Sequence, residues 1–347
     1  MFCEDKISGI PKFEINFDSQ NESLEEDSSS FTIYSSSSNP SPASSIVEDE
    51  HFFEGAEKLL EIWFHKVDST SSGSLRSVPH FELVNMLQIA KCHILHMKSN
   101  EYLDSYILSE SSMFVSDNRI ILKTCGETRL LHVIDVILHL AKQYANLTEI
   151  ANIFYSRKNF LRPERQPYPH HSFEDEIEYL NKYFKDGDGF TMGYSLPDKW
   201  FLYTLKEPEY TIHHPDHTLE ILMSHLPDEI SNAFTSLSKN GRNLTLDQYI
   251  TIHVTPESDF SYVSFETNQN RTCVYRQTLS VLEIFKPGKF MITLFVNKFS
   301  ENGIRTQRLL WDNEIIGYKC KDRQYISLKV GFFKKKDTHF LLNGRNN

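Results

Sequence analysis

Residues 106–115, Tyr-Ile-Leu-Ser-Glu-Ser-Ser-Met-Phe-Val, place a short polar turn between two apolar stretches of strand-forming residues. Small polar residues favour tight turns, so the pattern predicts a hairpin with its tip within residues 109–112. A strained turn can press a serine hydroxyl against the carbonyl carbon of the preceding residue, and the hydroxyl is then a nucleophile aimed at its own backbone. Serine-rich turns are common, so the same residues are also compatible with an ordinary turn.

The rest of the chain favours a fold with more strand than helix. Strands are predicted from stretches rich in β-branched and aromatic residues, at 119–123, 199–204, 249–254, 262–266, 289–296, 315–319 and 325–333. Helices are predicted at 54–64, 130–144 and 174–184, the last with a capping box at Ser172 and Asp175. The helices do not alternate strictly with the strands, so the pattern predicts an α+β fold in which helices cover antiparallel sheets.

The helix predicted at 54–64 depends on apolar residues that recur at helical spacing: Leu59, Leu60, Trp63 and Phe64. Its carboxylates would share another face of that helix: Glu54, Glu57 and Glu61. A row of carboxylates on one helix face usually lies in solvent, so the pattern alone predicts a solvated surface.

The composition limits the class of partner. The chain has 347 residues and a formal net charge of −11, which disfavours nucleic acid and anionic membranes, because both are attracted by positive charge. A small cation fits this charge better. Neither a membrane-spanning apolar stretch nor a secretory signal is recognisable, so a soluble, cytoplasmic protein is expected. The five cysteines lack C-x-x-C spacing, so most are expected to be reduced thiols.

Residues 1–50 are predicted to form a disordered acidic arm. The segment is rich in serine and acidic residues, as at 25–30 and 35–38, and such a composition cannot offset the entropy of ordering the backbone. Two roles stay open for the arm, regulation by phosphorylation or turnover and an inert extension.

Eight blocks of sequence carry a resemblance to a known family: 52–60, 108–116, 122–126, 154–160, 218–223, 253–257, 260–268 and 285–290. Taken in order, they are similar to the eukaryotic S-adenosylmethionine decarboxylase family. The resemblance covers nearly everything from His51 to Asn297 and is weak from about Lys298 onward. It implies one domain over residues 51–340, built as a four-layer αββα sandwich of two antiparallel sheets flanked by helices.

The resemblance implies a proenzyme that cleaves itself between Glu110 and Ser111, into a small chain of residues 1–110 and a large chain of residues 111–347. Ser111 would attack the Glu110 carbonyl. His253 would then help to remove the Ser111 α-proton, so that a pyruvoyl group caps the large chain. Histidine suits this step because its pKa lies near the working pH. The implied reaction decarboxylates S-adenosylmethionine to the aminopropyl donor for spermidine and spermine synthesis.

Decarboxylation needs an electron sink, and a protein-bound carbonyl supplies one by condensing with the substrate amine. Neither pyridoxal phosphate nor a metal is therefore expected. By resemblance, Ser111 provides this carbonyl and Cys125 returns a proton to the substrate carbon. Phe53 would stack on the adenine and face the sulfonium cation, and Glu257 would bind the ribose hydroxyls. Two more residues are implied at the edge of the pocket, against the solvated surface predicted above: Glu54 and Glu57.

Alternation in residues 216–221 predicts a strand with three polar residues on one face: Asp216, Thr218 and Glu220. Two carboxylates that point inward from one strand are costly unless a positive charge meets them. A helix with Asp216 as its N-cap is the competing interpretation. Animal-type members of the family hold putrescine, a dication, in such a pocket, and the resemblance adds further residues to it: Glu61, Lys123, Phe154, Glu266 and Phe295. Putrescine is therefore expected to accelerate processing or turnover.

One stretch departs from the family. Between Phe234 and His253 the chain is shorter and lacks most of a block whose serine assists processing and catalysis. Ser238 is the candidate for that serine, and an ordinary loop serine is the alternative. An active decarboxylase, expected to be a homodimer of cleaved protomers, is therefore weighed against an uncleaved, impaired homologue that regulates an active decarboxylase. A third interpretation is an incomplete gene model.

Overall fold

The computed structural model describes residues 32–34, 52–66, 73–193, 195–206, 215–235, 240–245, 247–256, 261–269, 273–329 and 336–346. Two predicted site residues, Ser238 and Glu257, lie outside these ranges. Within the ranges, no helix is long and apolar enough to cross a membrane.

The strands of the described residues, in chain order, are β1 (Thr32–Tyr34), β2 (Lys58–Phe64), β3 (Ile94–Ser99), β4 (Asp104–Leu108), β5 (Ser111–Val115), β6 (Arg119–Thr124), β7 (Ile150–Lys158), β8 (Gly187–Met192), β9 (Trp200–Leu205), β10 (His217–Ser224), β11 (Asn240–Thr245), β12 (Gln248–Thr255), β13 (Tyr262–Thr267), β14 (Lys289–Val296), β15 (Tyr318–Lys329) and β16 (Lys336–Asn346). They form two eight-stranded sheets, both antiparallel. The first sheet has the order β3-β4-β5-β6-β2-β7-β9-β8, and the second has the order β1-β11-β12-β13-β10-β14-β16-β15.

The α-helices of the same residues are α1 (His80–Ile89), α2 (Ile134–Ala145), α3 (Phe173–Leu180), α4 (Asp228–Thr235), α5 (Val274–Phe285) and α6 (Glu301–Asp312). Short 3₁₀ turns occur at Leu75–Ser77, Leu130–Val133, Pro163–Arg165 and Leu196–Asp198.

The two sheets stack face to face, and helices cover their outer faces. Leu60 of β2 packs among residues of α1, α2 and α3 in one core. Ile221 of β10 packs among residues of α5 and α6 in another. Between the sheets, Trp200 of β9 meets Leu222 and Met291 of the second sheet. These four layers confirm the predicted αββα sandwich of two antiparallel sheets.

The helix predicted at 54–64 is wrong, because β2 occupies Lys58–Phe64 and lies in the middle of the first sheet, between β6 and β7. Leu60 and Ile62 point to the helices, whereas Glu61 lies on the other face, toward Asp216 beside the second sheet. Both faces of β2 are buried, so its apolar residues run continuously and imitate a helical period. The predicted solvated carboxylate surface is wrong for the same reason.

The other helix predictions agree with the structure. The helix predicted at 130–144 is confirmed as a 3₁₀ turn followed by α2. The Ser172 hydroxyl caps α3 by accepting from the Asp175 amide at 3.1 Å, as the capping box predicts.

Among the predicted strands, that at 216–221 is confirmed as β10, and the competing helix is wrong. The strands predicted at 315–319 and 325–333 are not separate, because β15 is one long strand with a register shift between Cys320 and Asp322. Within the arm, Thr32–Tyr34 forms β1 and pairs with β11, because an open sheet edge supplies backbone partners even to a polar segment. The rest of the arm lies outside the described residues.

Candidate active site

The predicted hairpin is confirmed, since β4 and β5 pair antiparallel and Ser109 and Glu110 form the turn between them. Ser111 has a backbone φ of +149°, a conformation that L-residues with a side chain rarely adopt and that costs on the order of 1–3 kcal/mol. Hydrogen bonds hold the turn on both sides. The Ser109 amide donates to the His93 carbonyl at 2.9 Å, and the Cys125 amide donates to the Glu110 carbonyl at 2.9 Å. The strained residue is the one at the predicted cleavage point.

The Glu110 carbonyl oxygen accepts hydrogen bonds from two groups of Cys125. The backbone N–H lies 2.9 Å away and the thiol sulfur lies 3.0 Å away. Two donors on one carbonyl oxygen draw electrons from its carbon, and they stabilise negative charge that develops on the oxygen during an attack. The carbonyl that Ser111 would attack is therefore already polarised.

Glu57 is the partner of the Ser111 hydroxyl, which donates to its Oε1. The side chain is buried just before β2. Burial alone would raise the pKa of Glu57, but Lys123, His253 and the Ser111 hydroxyl outweigh it and bring the pKa below its ordinary value. Glu57 is thus an ionised carboxylate in contact with the candidate nucleophile. Such a group can accept the hydroxyl proton.

Cys125 lies at the end of β6 and is fully buried. Its sulfur is 3.4 Å from Nε2 of His253, which β12 supplies from the second sheet. Burial raises the pKa of the Cys125 thiol well above its usual range, and the charges of Glu110 and Glu57 raise it further. The thiol is therefore protonated at neutral pH and has a proton to give. The structure brings together four of the predicted residues: Glu57, Ser111, Cys125 and His253.

A cavity of about 310 Å³ opens beside the hairpin turn, and Phe53, Glu54, Glu110 and Gly126 contribute to its lining. The ring of Phe53 packs so closely on Gly126 that a Cβ there would lie 3.0 Å from it, and Gly126 has a φ of +61°. Both observations favour a glycine at this position. This places the predicted adenine-stacking residue next to the hairpin turn.

Glu54 also lines this cavity, but its carboxylate is engaged by the backbone. Its Oε2 accepts from the Leu161 and Arg162 amides at 2.7 and 3.3 Å, and its Oε1 accepts from the Ala56 amide at 3.3 Å. Burial raises the pKa of Glu54, although these amides oppose the shift. The geometry is that of a residue that holds the chain around the cavity.

An acidic cluster lies between the two sheets around Lys123, whose side chain is fully buried. The Lys123 ammonium lies 2.6 Å from Glu266, 3.2 Å from Glu220 and 3.3 Å from Glu57. Burial raises the pKa of Glu220 to about 7, against the opposing effect of Lys123. One ammonium group therefore does not neutralise these carboxylates.

The cluster continues to Arg119, whose guanidinium lies 3.6 Å from Glu61 and 3.9 Å from Asp216. Burial raises the pKa of Glu61 to about 7, although Arg119 opposes the shift. The cluster thus holds five carboxylates and two cations: Glu57, Glu61, Asp216, Glu220 and Glu266 with Lys123 and Arg119.

The remaining predicted residues of the cluster also lie between the sheets. The rings of Phe154 and Phe295 meet edge to face with centroids 5.8 Å apart, and Thr218 is opposite Phe295 in the sheet. Sequence reasoning missed two residues of the cluster, Arg119 and Tyr249. Tyr249 donates from its hydroxyl to Glu266 at 2.5 Å. The sequence pattern predicts a strand at each of the two positions and no site there.

Comparison with known proteins gives the family. The family model described as adenosylmethionine decarboxylase matches residues 50–246 and 236–334, most of the chain. The chain belongs to the adenosylmethionine decarboxylase family. The two matches meet and overlap at 236–246, within the stretch where the sequence departs from the family pattern.

Individual members of the adenosylmethionine decarboxylase family are similar to this chain over most of its length. The S-adenosylmethionine decarboxylase proenzyme of Onchocerca volvulus is 50% identical over 319 residues, 82% of this chain and 87% of the relative. The proenzyme of Caenorhabditis elegans is 46% identical with the same coverage. That of Xenopus laevis is 43% identical over 309 residues, 79% of this chain and 91% of the relative.

Proposed function

We propose that the chain cleaves itself between Glu110 and Ser111 and then decarboxylates S-adenosylmethionine, which yields the aminopropyl donor for spermidine and spermine synthesis. One observation carries the proposal. Ser111 has a strained backbone, a hydroxyl bonded to the ionised Glu57 and, before it, a carbonyl polarised by two donors from Cys125. An ordinary turn does not need this combination, which is typical of a site where a nucleophile attacks a carbonyl.

The cleavage begins when the Ser111 Oγ bonds to the carbonyl carbon of Glu110 and passes its proton to Glu57. The Cys125 donors stabilise the negative charge on the carbonyl oxygen. Glu57 then returns the proton to the Ser111 nitrogen as the C–N bond breaks, which leaves an ester between the Ser111 oxygen and Glu110 and a free amine on Ser111. His253 removes the α-proton of Ser111, and the new main-chain carboxylate of Glu110 leaves the Ser111 β-carbon. Hydrolysis of the resulting enamine releases ammonia and leaves a keto group on the large chain.

Members of the family are generally pyruvoyl-dependent. The residues present fit such a group, because Ser111 supplies its carbons, the Ser111 hydroxyl contacts Glu57, and Cys125 contacts the carbonyl that precedes Ser111. When formed, the group supplies an electron sink for decarboxylation. Cys125 delivers a proton to the substrate carbon, for which its protonated thiol is suited. Phe53 packs against the adenine and Glu257 binds the ribose.

We propose the acidic cluster as the site of putrescine. Its carboxylates exceed its cations, and buried negative charge of this kind is costly until a cation meets it. Lys123 contacts Glu57, and Glu57 contacts the Ser111 hydroxyl. A bound dication therefore acts on the nucleophile through only two side chains.

Three further features belong to the same proposal. The cleaved protomers form a homodimer, and the enzyme is cytoplasmic. Its cysteines are reduced, and this agrees with the free thiols at Cys92, Cys125, Cys273 and Cys320. A single catalytic domain over 51–340 follows an acidic arm over 1–50. The uncleaved regulatory homologue is the weaker alternative, because the groups needed for cleavage lie together.

The test is the intact mass of freshly purified protein, followed by reaction with a hydrazine. We expect two chains, one that ends at Glu110 and one that begins at position 111. Only the larger chain is expected to react with the hydrazine. Ser111→Ala provides the control and is expected to stay one chain. A wild-type chain that remains unbroken with and without putrescine would contradict the proposal.

A further inference from the structure

A second buried lysine, Lys58, begins β2 and is fully buried. Its ammonium donates to the Gly126 carbonyl at 2.9 Å and to Oε1 of Gln166 at 3.0 Å. It also lies 5.2 Å from the centroid of the Phe160 ring. Among the described residues, no carboxylate lies within ion-pair distance of it. Lys58 is thus a buried cation bound to neutral oxygens.

The titratable and charged groups that face Lys58 come from several elements: Glu54 before β2, Glu110 in the hairpin turn, Cys125 after β6, Arg157 of β7, His170, and Glu176 of α3. Two of the carboxylates among them are engaged elsewhere. Glu176 is bonded to Arg157 and His170, and Glu54 is bonded to backbone amides. Glu110 and Cys125 remain.

We propose that Lys58 is a positioning residue that stabilises Cys125 as a thiolate once Cys125 has given its proton to the substrate carbon. This rests on the proposed role of Cys125 in decarboxylation. A thiol that donates a proton inside a dry site leaves a negative charge there, and in a low-dielectric interior such a charge is stable only near a cation. Lys58 holds the carbonyl of Gly126, the next residue after Cys125, and is therefore fixed beside that charge.

The contacts of Lys58 explain why it suits this task better than Lys123. The charge of Lys123 is offset by three carboxylates at 2.6 to 3.3 Å. The charge of Lys58 is not offset by an ion pair, so its field reaches Cys125. In agreement, Lys58 opposes the rise in the pKa of the Cys125 thiol that burial, Glu110 and Glu57 produce.

The same environment makes the effect dependent on pH. Burial lowers the pKa of Lys58 to about 8, although Cys125, Glu176 and Glu54 oppose the shift. Lys58 therefore carries its charge below about pH 8 and loses it as the pH rises through that value. The thiol itself stays protonated there, so a fall in kcat above pH 8 reports Lys58.

The experiment measures kcat and KM from pH 6.5 to 9.5, per hydrazine-reactive keto group, in the wild type, Lys58→Met and Lys58→Arg. Lys58→Met is expected to lower kcat about tenfold, the factor of one unit of thiol pKa, with KM within about twofold. Lys58→Arg is expected to keep much of kcat and to lose the fall above pH 8, because arginine stays charged. Lys98→Met, at an exposed position of β3, is the matched control.

A Lys58→Met enzyme with wild-type kcat and pH profile would overturn the inference. If that variant does not fold, Gln166→Glu decides, because it places a carboxylate against the Lys58 ammonium. It is expected to lower kcat and to move the alkaline fall to higher pH, and an unchanged profile overturns the inference. A wild type that neither cleaves nor releases carbon dioxide overturns the proposed function as well. An active wild type whose variants have the same kcat and pH profile overturns the role of Lys58 alone.

Discussion

Two buried clusters on opposite faces of the first sheet differ in charge balance. On the helix-covered face, Glu176 accepts from Arg157 at 2.8 and 3.0 Å, from His170 at 2.7 Å and from Tyr155 at 2.5 Å. Burial would raise the pKa of Glu176, but these partners bring it below its ordinary value. On the face between the sheets, burial raises the pKa values of two carboxylates of the acidic cluster to about 7.

The difference separates a structural cluster from the cluster that we propose as the putrescine site. Both carboxylate oxygens of Glu176 have donors within the protein, so the charge of Glu176 is offset and its contacts stabilise the position of α3 on the sheet. The acidic cluster is incomplete, because its five carboxylates share two cations. A protein retains such an imbalance at a functional site, where a ligand supplies the missing charge.

The largest effect is expected where the acidic cluster meets the cleavage point. Glu57→Gln keeps the size of the side chain but removes the base that contacts the Ser111 hydroxyl. Self-cleavage is expected to slow by about 10²- to 10⁴-fold, the usual contribution of a general base. The measurement is the fraction of cleaved chain against time by gel or mass spectrometry. Cleavage of this variant at the wild-type rate would remove Glu57 from the mechanism.

The next largest effect tests the contrast directly. In the uncleaved Ser111→Ala background, Glu176→Gln is expected to lower the free energy of unfolding by about 3–5 kcal/mol, because Arg157 loses its buried partner. Glu220→Gln is expected to change it by at most about 1 kcal/mol, because it removes charge from an overcharged cluster. Urea denaturation measures both. Equal losses in the two variants would abolish the distinction.

A smaller effect concerns pH. Carboxyls whose pKa is about 7 in the folded protein and about 4.5 when unfolded bind more protons folded than unfolded, so stability falls as pH rises between these values. A loss of about 3 kcal/mol is expected for each of Glu61 and Glu220. The melting temperature should therefore fall from pH 5 to 7.5. Glu61→Gln with Glu220→Gln should flatten most of the slope, and Glu110 contributes the remainder. A rise over this range would contradict the assignment.

The smallest effect concerns putrescine. It is expected to raise the rate of cleavage or of carbon dioxide release by about tenfold, equivalent to about 1.4 kcal/mol, and more at pH 8 than at pH 6, because the carboxyls must lose protons to bind a dication. Glu220→Gln should lose this response, whereas a change at exposed Lys98 should not. Equal wild-type rates with and without putrescine would show that the acidic cluster has another purpose.

The sequence predicts best where one face of a strand is polar. Alternation at 216–221 identifies β10, and the serine turn identifies the hairpin of Ser111. The same reasoning fails for β2, because burial on both faces removes alternation and leaves a pattern that resembles a helix. The first sheet, the acidic cluster and the cleavage point all depend on β2, so this error hid how they are joined.

The long-range contacts could not be predicted from local pattern. Arg119 of the first sheet meets Asp216, beside the second sheet, only after the sheets stack, and Tyr249 reaches Glu266 from a neighbouring strand. Local pattern likewise gives Lys58 no role, since its partners Gly126 and Gln166 are 68 and 108 residues away in the chain. The catalytic roles came from family resemblance, and spacing alone would have left Ser111 as one serine among several.

The order of strands in the first sheet determines what a break between residues 110 and 111 does to the molecule. β2, β3 and β4 precede the break, yet β2 lies between β6 and β7, and β4 pairs with β5. Strands of both products would therefore stay hydrogen-bonded within one sheet, and the two chains could not dissociate without unfolding. The nitrogen of Ser111 would leave as ammonia, so the large chain would have no amine with which to form the peptide bond again. The proposed cut would therefore be irreversible, although the sheet would survive it.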